Sequence, residues 1–499
     1  MFLSKSKYCE IHQCPKIAWM RKNKPEEFIS DDSALARMEK GNDVGDLAMG
    51  LFGNFVEVTS YDESGNNLDL SKMIELTKTE IAKSTPVICE ASFEYNGLYC
   101  AVDILRAQNG GYAIYEVKSS THVKPVYISD IAYQKYVLEN SGINVTGTYL
   151  VNINSNYVFN GKLDVRRLFC VTDVSQAVAA EIYNVPTVIE KAEQLIELET
   201  EPDFPLTKNC HEPYKCGFWK YCSRNLPEPS VFDLYRLASS KKFEYYNDGL
   251  LSFEDLLARG VIKNKHQLRQ MQFEAEKKDE PYVDKEGVRD FLSTLSYPIY
   301  FLDFESMQPI VPQFIGTKPY AQITFQYSLH YIEKEGGELM HKEFLAESGT
   351  DPRRALAQKL CEDIPKNVCV TAYNKSFECG RIKELAETFP DLAEHLMNIH
   401  DNIRDLLAPF QSGYYYNRAM GGSYSIKSVL PALFPDDPSL DYHNLEGVHN
   451  GSEAMAIFPL IAKMPPEEQK KARTDLLNYC KLDTYAMVKV WEKLKESIK

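Results

Sequence analysis

The sequence predicts an α/β protein of more than one domain, and three observations lead there. Val87 to Phe93, Leu98 to Leu105 and Tyr112 to Lys118 read as β strands, punctuated by Asn96-Gly97 and Asn109-Gly110-Gly111, the residue types that tight hairpin turns demand. Directly after them, Asp130 to Leu138 has helical periodicity, with polar Gln134 among apolar neighbours. Tyr300 to Glu305 is a further strand, in which Asp303 and Glu305 leave one face while Leu302 and Phe304 leave the other.

At 499 residues the chain is too long for one hydrophobic core, so two or three domains are expected. Leu226-Pro227-Glu228-Pro229 marks a boundary, which gives an N-terminal domain over 1–225, a helical connector over 226–290 and a C-terminal domain over 291–499. Within the connector, Phe253 to Leu257 and Lys265 to Glu276 are predicted helices, and no strand-like run is visible. No repeat of fixed period relates the domains.

The net charge of -15 argues against unspecific coating of a polyanion, although carboxylates that hold metals count as negative in that sum. Basic residues group at Lys208 to Arg224 and Lys263 to Arg269. No run reaches the length of a membrane span, and the opening Met1-Phe2-Leu3-Ser4-Lys5 lacks the apolar core of a secretory signal, so a cytoplasmic location and no membrane partner are expected. No Gly-x-x-x-x-Gly-Lys-Ser/Thr loop is present, so no ATP site is expected. His211, His330, His443 and His449 lack paired metal-ligand spacing and are expected in core or surface roles.

In the C-terminal domain, Asp303 and Glu305 are joined by Glu378 in Asn374-Lys375-Ser376-Phe377-Glu378 and by Asp483, which shares a helix face with Tyr479 four positions earlier. Four acids gathered from distant segments need divalent cations, and such ions suit phosphodiester hydrolysis. These segments resemble the DnaQ-like exonucleases of the RNase H-like fold, in the subclass with a tyrosine four residues before the last aspartate. Asp405-Leu406 resembles a strand end of that superfamily, and Ser425-Ile426-Lys427 a helix start. The resemblance covers about residues 298 to 495. It implies Asp303, Glu305, Glu378 and Asp483 as ligands of Mg2+ or Mn2+, Tyr479 orienting the nucleophilic water, 3' to 5' trimming, and supporting roles for Asn374, Asp405 and Lys427. The chain departs from the pattern at Glu378, where the family has aspartate. Phe410 to Tyr424, rich in tyrosine and glycine with Arg418 among them, is expected either to pack on its own rings or to stack unpaired bases.

In the N-terminal domain, Asp103 sits in the second strand, and Glu116 and Lys118 leave one face of the third with Val117 turned into the core. The set suits metal-assisted hydrolysis, with Asp103 and Glu116 on Mg2+ or Mn2+ and Lys118 beside the attacking water. With Gln134 on the following helix and Glu90 ahead of the aspartate, it resembles the PD-(D/E)xK nucleases of the RecB type. Many of those carry an upstream histidine, and Gly41-Asn42-Asp43-Val44-Gly45 has none.

Cys210, Cys216 and Cys222 are separated by five residues each, and Cys14 lies near the other end of the domain in Cys14-Pro15-Lys16-Ile17-Ala18-Trp19. This layout resembles the iron-sulphur RecB-type nucleases and implies a [4Fe-4S] cluster, with zinc as the alternative for the same thiolates. Cys9 is an alternative fourth ligand. Cys89, Cys100, Cys170, Cys361, Cys369, Cys379 and Cys480 are expected to be buried small hydrophobes.

The two halves together resemble a prokaryotic family of predicted nucleases whose C-terminal half is a domain of unknown function. The expected activity is a metal-dependent DNA nuclease with two candidate sites, serving repair or defence, on DNA that is single-stranded or has free ends. RNA stays open as a substrate, since nothing in the sequence reads the 2'-hydroxyl. A binding or complex-organising protein with decayed sites is the alternative, and protein partners are unspecified.

Overall fold

The protein is an α/β protein of two compact units: Met1–Asn225 with Pro309–Ala321, and Leu226–Gln308 with Gln322–Lys499. A computed structural model describes residues 3–30, 43–235, 237–261 and 267–499. Gly41 and Asn42, and residues 263–266 of the second basic group and of the predicted helix from Lys265, lie outside the described residues. The segment 226–290 thus falls in one unit with the C-terminal domain.

The first unit is built on a seven-stranded sheet. Its strands are β1 (Leu3–Ser4), β2 (Val56–Glu57), β3 (Val87–Tyr95), β4 (Leu98–Gln108), β5 (Gly111–Lys118), β6 (Val145–Ile153) and β7 (Phe169–Asp173). They lie in the order β2-β3-β4-β5-β6-β7, with β1 paired to β4. Strands β3, β4 and β5 form an antiparallel meander, and β6 returns parallel to β5 after the helix Pro125–Asn140. The hairpin turns carry positive φ at Asn96, Gly97, Asn109 and Gly110, a conformation that asparagine and glycine tolerate best. The strands run a few residues beyond their predicted ends, because the turns occupy only two residues each. Helix Pro125–Asn140 is buried along Ile131, Ala132, Tyr133, Val137 and Leu138, in one core with Cys100, Val102, Ile114 and Leu150 of the sheet.

The second unit holds β9 (Ile299–Met307), β10 (Ile323–Ile332), β11 (Met340–Leu345), β12 (Cys369–Ala372) and β13 (Ile403–Asp405), in the order β11-β10-β9-β12-β13. Strand β10 is antiparallel to β9 and β11, whereas β12 and β13 run parallel to their neighbours. Leu302 and Phe304 leave one face of β9 and pack with Tyr327, Leu329, Leu356, Leu360 and Ile382. Phe301 leaves the other face, with Met487, Val488 and Trp491 of the long helix Pro466–Ser497.

Two expectations need correction. A two-stranded sheet pairs β8 (Tyr282–Val283), which lies in the connector read from sequence as strand-free, with β14 (Tyr415–Tyr416); two residues are too few to show an alternating pattern. Cys170 is exposed rather than buried, because it stands on edge strand β7, whose residues after Phe169 face outward; Cys361 and Cys379 are only partly buried. The aromatic segment after Phe410 packs inward, with Phe410, Tyr415 and Tyr416 in a core around Tyr235, Met271 and Val429. Arg418 there pairs with Glu276 and Asp279. Among the described residues no helix is long and apolar enough to cross a membrane.

Candidate metal centres

In the second unit the pleat of β9 aims Asp303 and Glu305 at the helix Pro466–Ser497. Ser328 stands opposite Asp303 and Gln326 opposite Glu305 in β10. Ser328 exchanges a 2.7 Å hydrogen bond with Thr484, and Gln326 donates to the Leu476 carbonyl at 2.8 Å, so both fix the helix on the sheet. The register between β9 and β10 shifts at Thr324/Gln326, beside Glu305, where a bulge re-aims side chains.

The long helix brings Tyr479, Cys480 and Asp483 to this face, and Tyr442 donates to Asp483 Oδ1 at 2.6 Å. Glu378 comes from the first turn of the helix Ser376–Thr388 and is buried, with Oε2 lacking a hydrogen-bond partner. One oxygen or sulphur each from Asp303, Glu305 and Cys480 lie within 4.8 Å of one another, and the Cys480 Sγ is 3.8 Å from Asp303 Oδ2. Gly451 lies beside the site: a Cβ added there would stand 3.6 Å from Glu305 Oε2 and 3.9 Å from the Tyr479 hydroxyl, ordinary contact distances.

The electrostatics describe one repulsive cluster. Burial and then the charge of Asp483 lift Asp303 well above the usual carboxylate range, and the same two causes lift Glu305. Burial pushes Glu378 to about 8, with Asp405 adding to the rise. Asp483 reaches only about 6, because hydrogen bonds from Tyr442 and Tyr479 oppose the effect of burial. Lys427, on the first turn of the helix Ile426–Leu433, favours the ionised forms of Glu305 and Asp483. Asp405 ends β13 and accepts from the backbone N–H groups of Asn374 and Leu407. Asn374, at φ 69°, accepts from Ser376, so this pair shapes the turn that delivers Glu378.

In the first unit, Asp103 falls one step beyond the pair Ile104↔Tyr115, opposite Glu116, and its Oδ2 accepts from the Val117 N–H at 2.6 Å. Lys118 donates to Glu116 Oε1 at 2.6 Å and to Asp130 Oδ2 at 2.7 Å. Gln134 donates to Glu116 Oε2 at 2.7 Å and to Asp130 Oδ1 at 3.1 Å, leaving its own buried Oε1 without a partner. Burial and the nearby Glu116 lift Asp103 to about 6. Burial also opposes ionisation of Glu116, but Lys118 and Lys5 outweigh it and hold its carboxyl below the usual range. Glu90, in β3 at φ 57°, is raised to about 8 by burial and by Asp103.

Cys14, Cys210, Cys216 and Cys222 line one small pocket with Lys16, Met20, Phe218 and Trp219. Burial raises all four thiols, Cys216 to about 11, and neighbouring cysteines of the set add to the rise of Cys14, Cys216 and Cys222. Cys9 stands elsewhere, within the field of Asp130, Lys118 and Lys5, so of the two N-terminal candidates Cys14 is the one beside the other three.

Sequence reasoning missed Lys5, Asp130, Tyr442, Gly451 and the placement of Cys480. Asp130 alone left a local signal, four residues before Gln134 on one helix face.

Residues 300–425 match a family model described as Domain of unknown function (DUF2779). That span holds Asp303, Glu305, Glu378 and Asp405 but ends before Tyr479 and Asp483. The chain is also 25% identical over 304 residues to "Uncharacterized protein UU173" of Ureaplasma parvum serovar 3, an alignment covering 55% of this chain and 42% of that protein. The chain therefore spans less than half the length of this relative. Neither match carries a nuclease name.

Proposed function

We propose that this protein is a metal-dependent nuclease that hydrolyses phosphodiester bonds in DNA, with one candidate site in each unit. The observation that carries the reading is the gathering of Asp303, Glu305, Glu378 and Asp483, whose mutual repulsion and burial call for positive charge beyond that of Lys427. Hard divalent cations with oxygen ligands suit this donor set, and the unpartnered Oε2 of Glu378 is a free lone-pair donor within it. Mg2+ or Mn2+ held there would polarise a phosphoryl oxygen and lower the pKa of a water. The Tyr479 hydroxyl, pushed up by burial and Asp483, stays protonated and is a donor for orienting that water. The 3-2-1-4-5 strand order, with only the second strand antiparallel, supports an RNase H-like reading of the second unit and hence 3' to 5' trimming.

In the first unit the succession helix, three-stranded meander, helix, parallel strand supports a restriction-endonuclease-like reading. Asp103 and Glu116 would hold the ion there. Lys118 is anchored by Asp130 so that its ammonium stays beside Glu116, and Gln134 fixes the second oxygen of Glu116. The four-cysteine pocket suits a [4Fe-4S] cluster, with zinc as the rival, in a structural role that ties Cys14 to the closing segment of the unit.

Purified protein incubated with end-labelled single-stranded DNA, duplex DNA and RNA in Mg2+ or Mn2+ tests the reading. Cleavage that EDTA abolishes is expected; intact substrates under both metals would overturn it.

A further inference from the structure

Lys5 places an ammonium between the two acids of the first unit's candidate site. Its Nζ lies 2.9 Å from Glu116 Oε1 and 3.8 Å from Asp103 Oδ1. Backbone pairing fixes this position. Strand β1 pairs Leu3 with Leu98 and Ser4 with Tyr99, and the buried Tyr133 hydroxyl donates to the Leu3 carbonyl at 2.6 Å. Lys5 then begins the helix Lys5–Gln13, whose first turn carries no acidic residue, although a cation is disfavoured at a helix N-terminus. The carboxylates, rather than the helix, account for its presence there.

The other oxygen of each acid is held by a neutral donor: Asp103 Oδ2 by the Val117 N–H and Glu116 Oε2 by Gln134. The two remaining oxygens converge on Lys5. An oxygen-ligated Mg2+ or Mn2+ held by Asp103 and Glu116 would draw on those same oxygens. Of the two lysines on Glu116 Oε1, Lys118 has a second anchor in Asp130 Oδ2 at 2.7 Å, whereas among the described residues the ion pairs of Lys5 are made to the two acids that the cation would take, with Asp130 reaching it through its field rather than by direct contact.

We propose that Lys5 is a resident counter-ion of the Asp103–Glu116 pair that a divalent cation must displace, so that Lys5 sets the metal affinity of this site. The inference rests on the metal-dependent reading above. It predicts that the metal-free site is held together by Lys5 and that removing its charge strengthens metal binding instead of weakening it.

The test measures Mn2+ binding to the full chain by calorimetry in a D303N background, which disables the carboxylate set of the second unit. K5M, which keeps an unbranched side chain one atom shorter than lysine and without its charge, should bind Mn2+ about tenfold more tightly, and D103N should abolish that binding. On the unmutated chain, acetylation read by mass spectrometry should label Lys5 faster in Mn2+ than in EDTA, while Lys118 changes less. This second measurement decides the matter should K5M fail to fold. Binding that D103N removes but K5M leaves equal or weaker, or Lys5 labelling that ignores Mn2+, would overturn the role of Lys5 alone. Absence of any D103N-sensitive Mn2+ binding would remove the inference together with the metal-dependent reading of this unit.

Discussion

Tyr442 donates its hydroxyl hydrogen to Asp483 Oδ1 at 2.6 Å, across 41 residues of sequence. The bond opposes the rise that burial imposes on Asp483 and orients the carboxylate that closes the acidic cluster. Partners that orient a ligand in this way are typically worth about 10- to 100-fold in metal affinity or activity. Tyr442→Phe should therefore weaken Mn2+ binding at the second unit by that factor and shift its pH dependence upward, since Asp483 loses a donor that favours its ionised form. Calorimetry at several pH values checks both effects.

Glu378 is buried, raised to about 8 and left with an unpartnered oxygen. Glu378→Gln replaces a carboxyl whose ionisation burial opposes, so above about pH 8 the variant should melt at a higher temperature than the parent in EDTA while losing trimming activity. Stability gained at the expense of function is the signature of a strained site. A variant that melts lower in EDTA and trims normally would show that Glu378 is a structural residue.

The pH dependence of stability follows from the same groups. Burial first pushes Asp103 and Asp483 up to about 6 and Glu90 and Glu378 up to about 8, against roughly 4 for carboxylates in an unfolded chain. Between those values the native metal-free protein binds more protons than the unfolded chain, so the stabilisation is fully present below about pH 4 and is lost as pH rises through 6 to 8. Above the range where the depressed imidazoles of His330 and His341 oppose it, from about pH 6.5 to about pH 8.5, melting temperature in EDTA should accordingly fall, and saturating Mn2+ should flatten or reverse that slope. A melting temperature in EDTA that rises across this interval would contradict the assignment of these shifts.

Much of this arrangement is legible in the sequence because it is local. Asp303 and Glu305 are two apart on a strand, Glu116 and Lys118 likewise, and Tyr479 and Asp483 are one helical turn apart. Asn96-Gly97 and Asn109-Gly110 announce their turns through the positive φ they must adopt. What is not legible depends on long-range placement. Lys5 reaches Glu116 across 111 residues through a two-residue strand too short to show alternation. Gly451 comes beside Glu305 only through the fold, and Cys480 looks apolar until β9 brings Asp303 to it. Cys170 fails for the opposite reason, since neighbouring apolar residues do not reveal that its strand is an edge.

The cysteine pocket makes a separate prediction. If Cys14, Cys210, Cys216 and Cys222 hold an iron-sulphur cluster, anaerobically purified protein should be brown and Cys216→Ala colourless and poorly soluble, because loss of one thiolate leaves the others unpaired around Met20 and Phe218. Stoichiometric zinc without iron, or colour that survives the substitution, would count against the cluster.

If two metal-dependent sites hydrolyse phosphodiesters in one chain, the product ladder from a 5'-labelled strand separates them. Lys118→Ala removes one of the two cations beside Glu116 without touching the second unit's acids, and Asp303→Ala removes a ligand from the second unit alone. Each single variant should lose one class of product, 3' trimming for Asp303→Ala and the remaining cuts for Lys118→Ala, and only the double variant should be inert. A ladder from Asp303→Ala identical to that of the unmutated protein would contradict the claim of a working exonuclease site at Asp303, Glu305, Glu378 and Asp483.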